Sequence, residues 1–136
     1  MSAPVVDASV ALKWVAYEIG SEAARALSGS SMHAPDLLIL ECANALWRKT
    51  RMGELTSDEA EDGLALIEAA GVRLTRSAEL ASEALVLSLR LKHPVYDCSY
   101  LALALRLGSV VITDDRRFIQ AVQNDLSLSR HIQQLS

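Results

Sequence analysis

The sequence holds too little cysteine to build a disulfide framework or a thiolate metal site. Its two cysteines, Cys42 and Cys98, lie in stretches that read as helices and have no paired spacing, which points to reduced thiols in a cytoplasmic protein. Also missing is any uninterrupted apolar run near the ~20 residues that a membrane span requires. The N-terminal "MSAPVVDASV" has no basic stretch followed by an apolar one, so no secretion signal is expected. Positive charge is not in excess: 13 Lys and Arg stand against 17 Asp and Glu, a net −4. That balance argues against a broad basic face for nucleic acid but leaves room for a basic rim around an acidic centre. No repeat, low-complexity tract or linker divides the 136 residues, so 1–136 reads as one domain. Apolar residues nevertheless make up 51% of the chain, and a self-association surface or a partner-covered face is the expected use of the excess.

What is present is an alternation of short apolar strands and helices. Strands are expected at Val5–Asp7, Met32–Ala34 (stopped by Pro35), Val72–Thr75 and Ser109–Ile112, with a fifth short one in "LSLSRHIQQ". Helices are expected at Ser9–Glu18 and Ser21–Ser28, punctuated by Gly20 and Gly29, and at Asp36–Met52, closed by Gly53. The next helix opens on Thr56 and Glu59 at capping-box spacing and ends at Gly71. Ser77 is the expected N-cap of the one that follows, and Pro94 breaks it. Val95–Leu107, closed by Gly108, is apolar almost all round, as a helix buried against a sheet must be. The last clear helix is Asp114–Gln123. Such an order predicts an α/β fold whose mostly parallel sheet is covered on both faces.

Four acids stand where structure alone does not require them. In open parallel sheets, functional groups gather beyond the carboxyl ends of the strands. Asp7 ends the first strand, and Asp114 and Asp115 follow the fourth. At about 100° per residue, Glu41, Asn44 and Arg48 share one stripe of an otherwise apolar helix, with Arg51 close by. Asp97 sits in the first turn of the apolar helix with Ser99 and Tyr100 as polar companions. Each acid has an ordinary reading: Asp7 as a helix cap, Asp97 as a complement to a helix N-terminus, Glu41 paired with Arg48, one of Asp114 and Asp115 as an N-cap. If they converge, two carboxylates about 4 Å apart repel by roughly 4 kcal/mol at an effective dielectric of 20, so a cation is demanded. Oxygen-only ligands select Mg²⁺ or Mn²⁺ over zinc. His33, His93 and His131 are isolated along the chain and read as structural or exposed.

Four segments carry a resemblance: "VVDASVALKW" (5–14), "APDLLILECANALWR" (34–48), "YDCSYLALAL" (96–105) and "VITDDRRF" (111–118). In this order they resemble the PIN-domain ribonucleases, in particular the VapC-type toxins of toxin–antitoxin pairs. The resemblance implies a PIN-like three-layer sandwich, with a sheet of four to five strands flanked by about seven helices. It places the acids at Asp7, Glu41, Asp97 and Asp115, with Ser9, Asn44 and Thr113 as supporting residues. Asp114 falls on the family's variable position and is the better candidate for a cap or a tuning charge.

The activity so implied is that of a hydrolase, an endoribonuclease dependent on Mg²⁺, with Mn²⁺ able to substitute. The four acids would hold the metal, some through water, and a metal-activated water would cleave the phosphodiester to leave a 3′-hydroxyl and a 5′-phosphate. Lys13 and Arg116 are the preferred RNA contacts among nearby cations that also include Arg48, Lys49 and Arg117. The RNA is expected to be structured, with an exposed loop or single strand. A homodimer is expected, inhibited by a cognate antitoxin lying in a groove to which Val10, Leu12, Trp14, Leu38, Ile39, Leu46 and Trp47 contribute. The alternative is a non-catalytic PIN-like module that binds RNA or protein. A phosphoacceptor signalling domain of similar topology is disfavoured by the absence of its acid pair, central aspartate and lysine.

Overall fold

The computed structural model describes residues 3–15, 21–27 and 30–136. Five parallel strands form one sheet in the order β3-β2-β1-β4-β5: β1 (Val5–Val6), β2 (His33–Pro35), β3 (Arg73–Thr75), β4 (Val111–Thr113) and β5 (Ile132–Gln134). Seven α-helices are described: α1 (Ala8–Ala11), α2 (Ser21–Leu27), α3 (Leu37–Arg51), α4 (Ser57–Glu68), α5 (Ala81–Leu91), α6 (Val95–Leu107) and α7 (Arg116–Gln123).

β1 is only two valines, both fully buried, and lies at the centre of the sheet. Successive residues of a strand point to opposite faces, and the two valines accordingly belong to different halves of the core. Val5 joins the cluster built on α3, α5, α6 and α7, including Leu38, Leu87, Tyr100, Leu101 and Phe118. Val6 joins a smaller cluster with Val10, Ala24, Met32 and Ile112. Helices therefore cover both faces, giving the expected three layers. α6 supplies the thickest wall, since Cys98 to Ala104 are buried without interruption.

Helix ends follow local signals closely. Thr56 and Glu59 form the capping box reciprocally at 3.1 and 2.9 Å. Gly53 (φ +79°) follows α3 and Gly108 (φ +61°) closes α6, both in the left-handed region that glycine enters without steric cost. The expected Ser9–Glu18 helix starts one residue earlier, at Ala8, and gives way after Ala11 to a 3₁₀ turn at Leu12–Trp14. Its end at Glu18, the breaks at Gly20 and Gly29, and Ser28 lie outside the described residues.

Ser77 corrects its expected role. It opens a 3₁₀ turn (Ser77–Leu80) ahead of α5 and makes no side-chain cap there. Its Oγ instead accepts the Leu37 N–H at 2.9 Å, in the first turn of α3, and donates to Asp36 Oδ1 at 2.6 Å. The Ser77 N–H donates to the same oxygen at 2.9 Å. Asp36 makes no side-chain cap of its own helix, so the missing cap is supplied from 41 residues away.

Replacing Ser77 by Ala is expected to cost about 1 kcal/mol, the usual worth of a cap. The check is a denaturant midpoint together with amide exchange, which should accelerate at the first turn of α3 and stay unchanged in α5.

Candidate active site

The register of β1 against β4 sets Val6 opposite Ile112, so the next residues, Asp7 and Thr113, emerge side by side at the carboxyl edge of the sheet. The Asp7 carboxylate is 7% exposed. Its Oδ1 accepts the Ser9 hydroxyl at 2.5 Å and the Val10 N–H at 3.4 Å, which makes it the N-cap of α1. Its Oδ2 accepts the Thr113 hydroxyl. Those two hydroxyls accept in turn from the backbone: Ser9 Oγ from the Asp114 N–H at 2.9 Å and Thr113 Oγ1 from the Asp115 N–H at 3.1 Å. Asp7 thus stitches the end of β1 to the turn after β4. Burial pushes its pKa up to about 6 against the pull of its hydroxyl donors, and the Asp97 charge adds a smaller push.

Three further acids approach from helix ends and faces. Glu41 on α3 is half-buried, and its Oε1 accepts the hydroxyl of the fully buried Tyr100 at 2.6 Å. Burial raises its pKa, the Tyr100 bond opposes the rise, and the charges of Asp97 and Asp7 add to it. Asp97, in the first turn of α6, bonds through Oδ2 to His93 Nε2 at 2.7 Å. Burial again raises its pKa, His93 opposes, and the Asp115 charge reinforces it. Asp115 caps α7: its Oδ1 accepts the N–H groups of Arg117 and Phe118 at 3.0 and 3.3 Å.

Each of these three keeps one oxygen with no protein donor among the described residues: Glu41 Oε2, Asp97 Oδ1 and Asp115 Oδ2. The donor set is oxygen-only and anionic, which suits a hard cation. No three His, Cys, Asp or Glu side chains among the described residues lie close enough to grip one ion together. Mg²⁺ fits that spacing, because it is usually held by one or two carboxylates and keeps several waters.

Several expectations change here. The cap of α7 is Asp115 and not Asp114, which pairs with Lys13 Nζ at 3.2 Å. Lys13 is 5% exposed, so it is no surface cation. Thr113 orients Asp7 more directly than Asp115, to which it gives only an acceptor for the backbone N–H. Asn44 and Arg48 are exposed on the stripe that carries Glu41, and Glu41 turns to Tyr100 with no ion pair to Arg48. Arg116 is exposed in the first turn of α7. Tyr100 reaches Glu41 and leaves Asp97 to His93, which is no isolated histidine. The i, i+4 spacing of His93 and Asp97 was the available signal for that pair.

A five-stranded parallel sheet in this order, with acids from β1, α3, α6 and α7 gathered at its carboxyl edge, defines a class of α/β domains built around an acidic centre. Residues 5–123 match the PIN domain family, and the chain belongs to it. The chain is 36% identical over 120 residues to Ribonuclease VapC3 of Pyrobaculum aerophilum, covering 85% of this chain and 92% of that protein, which places it in the VapC branch of the family. It also superposes on the crystal structure of PAE2754 from Pyrobaculum aerophilum with a TM-score of 0.70, at 24% identity, over 88% of this chain and 78% of that one. At that identity the second likeness speaks to the fold.

The raised acids make stability depend on pH. A carboxyl whose folded pKa lies above its unfolded value contributes stability that is complete below the unfolded value and is lost as pH rises through the folded one. For Asp7 the window runs from 3.8 to about 6, on the order of 3 kcal/mol, and Glu41 and Asp97 act in the same direction. Asp36, Glu83 and Asp125, held low by Ser77, Arg106 and Ser127, oppose this only below the 3.8 to 4.5 range of unfolded carboxyls. In EDTA the protein should therefore melt higher at about pH 5 than at about pH 7.5, and Asp7→Asn should flatten the difference in scanning calorimetry.

Proposed function

We propose that this chain is a metal-dependent endoribonuclease of the VapC type, the toxin of a type II toxin–antitoxin pair. One observation supports the reading above the others. Three acids are each fixed by a protein donor through one oxygen, and each presents a second oxygen that no donor among the described residues engages. The Asp97 charge acts on Asp7 and on Glu41, Asp7 acts on Glu41, and Asp115 acts on Asp97. Carboxylates serving only as caps and surface pairs would have no reason to share one field.

In this reading Asp7, Asp97, Asp115 and Glu41 would hold Mg²⁺, some of them through water, and Mn²⁺ would substitute. When bound there, the ion would lower the pKa of a water and screen charge on the phosphoryl oxygens. Ser9 and Thr113 keep Asp7 from swinging away when it ionises. Glu41 or Asp97, each with a raised pKa, can take the proton released by the attacking water. Arg116, exposed next to Asp115, is the proposed contact for the RNA backbone. A single-stranded or looped RNA suits a site at an open sheet edge, where splayed bases can be reached.

Of the residues expected to form the antitoxin groove, Leu46 and Trp47 line one between α3 and α4, and the others lie in or against the core. Val10, Leu38 and Leu46 are core, and Leu12, Trp14 and Ile39 pack against it. The exposed Trp47 lies in a groove between α3 and α4 with Ala43, Thr50, Ala60 and Leu64. We assign this groove to the antitoxin segment and the exposed Leu85, Val86 and Leu89 of α5 to a second copy of the chain. Among the described residues no helix is long and apolar enough to cross a membrane, and the setting proposed is the cytoplasm.

The test is cleavage of RNA by the purified protein with Mg²⁺ or Mn²⁺ and with EDTA. Asp7→Asn and Asp97→Asn should each lower the rate by at least about 100-fold. Activity that persists in EDTA, or in both folded variants, would sink the reading. Because asparagine caps helices as well as aspartate does, Asp115→Asn removes the charge and keeps the cap of α7. It should lose cleavage with little change in melting temperature. Asp114→Asn, which breaks the pair with Lys13, should show the reverse pattern. Expression of the free protein in a bacterium should arrest growth, and the cognate antitoxin should relieve the arrest.

A further inference from the structure

We propose that His93 is a positioning residue that takes one oxygen of Asp97 and so leaves the other to face the metal. The inference rests on the reading of the acids as a metal site. His93 stands in the connector between α5 and α6, after Lys92, a non-glycine residue at φ 54° in the left-handed region. Its backbone is pinned: the Ser88 hydroxyl donates to its carbonyl, Cys98 Sγ approaches the same carbonyl at 3.7 Å, and its N–H donates to the Ser88 carbonyl at 3.3 Å. A connector fixed at both polar groups holds a ring more closely than a free loop would.

The imidazole is fixed as well. Its side chain is 11% exposed and stacks on Phe118, with centroids 5.2 Å apart and planes 12° from parallel. Phe118 is fully buried, and its N–H donates to Asp115 Oδ1. One ring therefore touches the anchors of two acids: Asp97 through Nε2 and Asp115 through the residue that Asp115 itself caps. A histidine needing only burial would not have to be aimed at a carboxylate whose side chain is 27% exposed and whose other oxygen has no donor. An N–H at Nε2 lets the ring donate to the Asp97 carboxylate. It works against the like charge of Asp115 on Asp97.

The test uses Mn²⁺ alone, without RNA, at constant pH. Binding is followed by the electron paramagnetic resonance signal of free Mn²⁺ for wild type, His93→Phe and His93→Gln, with melting of each metal-free protein alongside. Phenylalanine keeps the stack on Phe118 and removes the donor; glutamine restores a donor without the ring. His93→Phe should weaken Mn²⁺ binding by about 10–100-fold, as loss of a ligand's hydrogen-bond partner does. His93→Gln should recover most of that loss. Wild-type affinity in His93→Phe would overturn the proposal and leave the metal site standing. So would equal losses in both variants accompanied by lower melting of both metal-free proteins, the mark of a structural role. Failure of the wild type to bind Mn²⁺ would instead bring down the metal site, and the role of His93 with it.

Discussion

The Asp7 carboxylate, buried between the ends of β1 and β4, is the constraint around which the rest of the structure is arranged. Removing a carboxylate from water is costly unless donors replace the lost hydration. Ser9, Val10 and Thr113 supply them, and still the group is pushed well above its usual range. The chain has placed an acid where folding alone would favour a neutral residue. Its two hydroxyl partners also accept the backbone N–H groups of Asp114 and Asp115, so the turn that aims those residues is built on the same carboxylate.

The other acids solve a mechanical problem that Asp7 creates. Like charges at one sheet edge repel, and side chains free to rotate would relieve the strain by turning to solvent. Each is instead tethered by one oxygen, to Tyr100, to His93 or to two N–H groups of α7. The tethers come from elements that are themselves firmly set: Tyr100 from the buried run of α6, the N–H groups from a helix whose first turn includes the core residue Phe118. Rigid scaffold and held carboxylates together give a site that would need little reorganisation to take the proposed cation. The wide spacing of the acids agrees with an ion that keeps part of its water.

Which parts of this were legible follows the range of the interactions. The glycines after α3 and α6 and the capping box of α4 are decided within a few residues, and the sequence shows them directly. So is the all-round apolarity of α6, which only a buried helix can have. Ser77 hides its role in the sequence because its hydrogen bonds go to Asp36 and Leu37, residues that no local pattern links to it. Tyr100 bonds Glu41 across 59 residues for the same reason. The apolar stripe of α3 is legible as apolar, but a stripe cannot say which members face the core and which a groove; Leu38 is core, Leu46 is buried at the floor of the groove, and Trp47 is exposed beside it. His93 is the instructive miss. It lies one helical turn from Asp97, but Pro94 reads as a break and hides the pair, although the proline occupies the N-cap position of α6 and lets the ring fold back over the first turn.

The adjacent acids after β4 follow from the same geometry. An extended chain sends alternate side chains to opposite sides, so residues 113 and 115 share one side and residue 114 takes the other. Thr113 ends β4 and turns to Asp7, while Asp115, still extended at φ −81° and ψ 103°, turns to the start of α7 and keeps an oxygen for the site. Asp114 is thereby delivered to Lys13, just beyond α1, where a buried ammonium needs a counter-charge. Its carboxylate is neutralised locally and adds little to the repulsion among the others. Two neighbouring carboxylates can therefore coexist at one strand end because the backbone separates them, one tying the turn to α1 and the other starting α7 and completing the acidic centre.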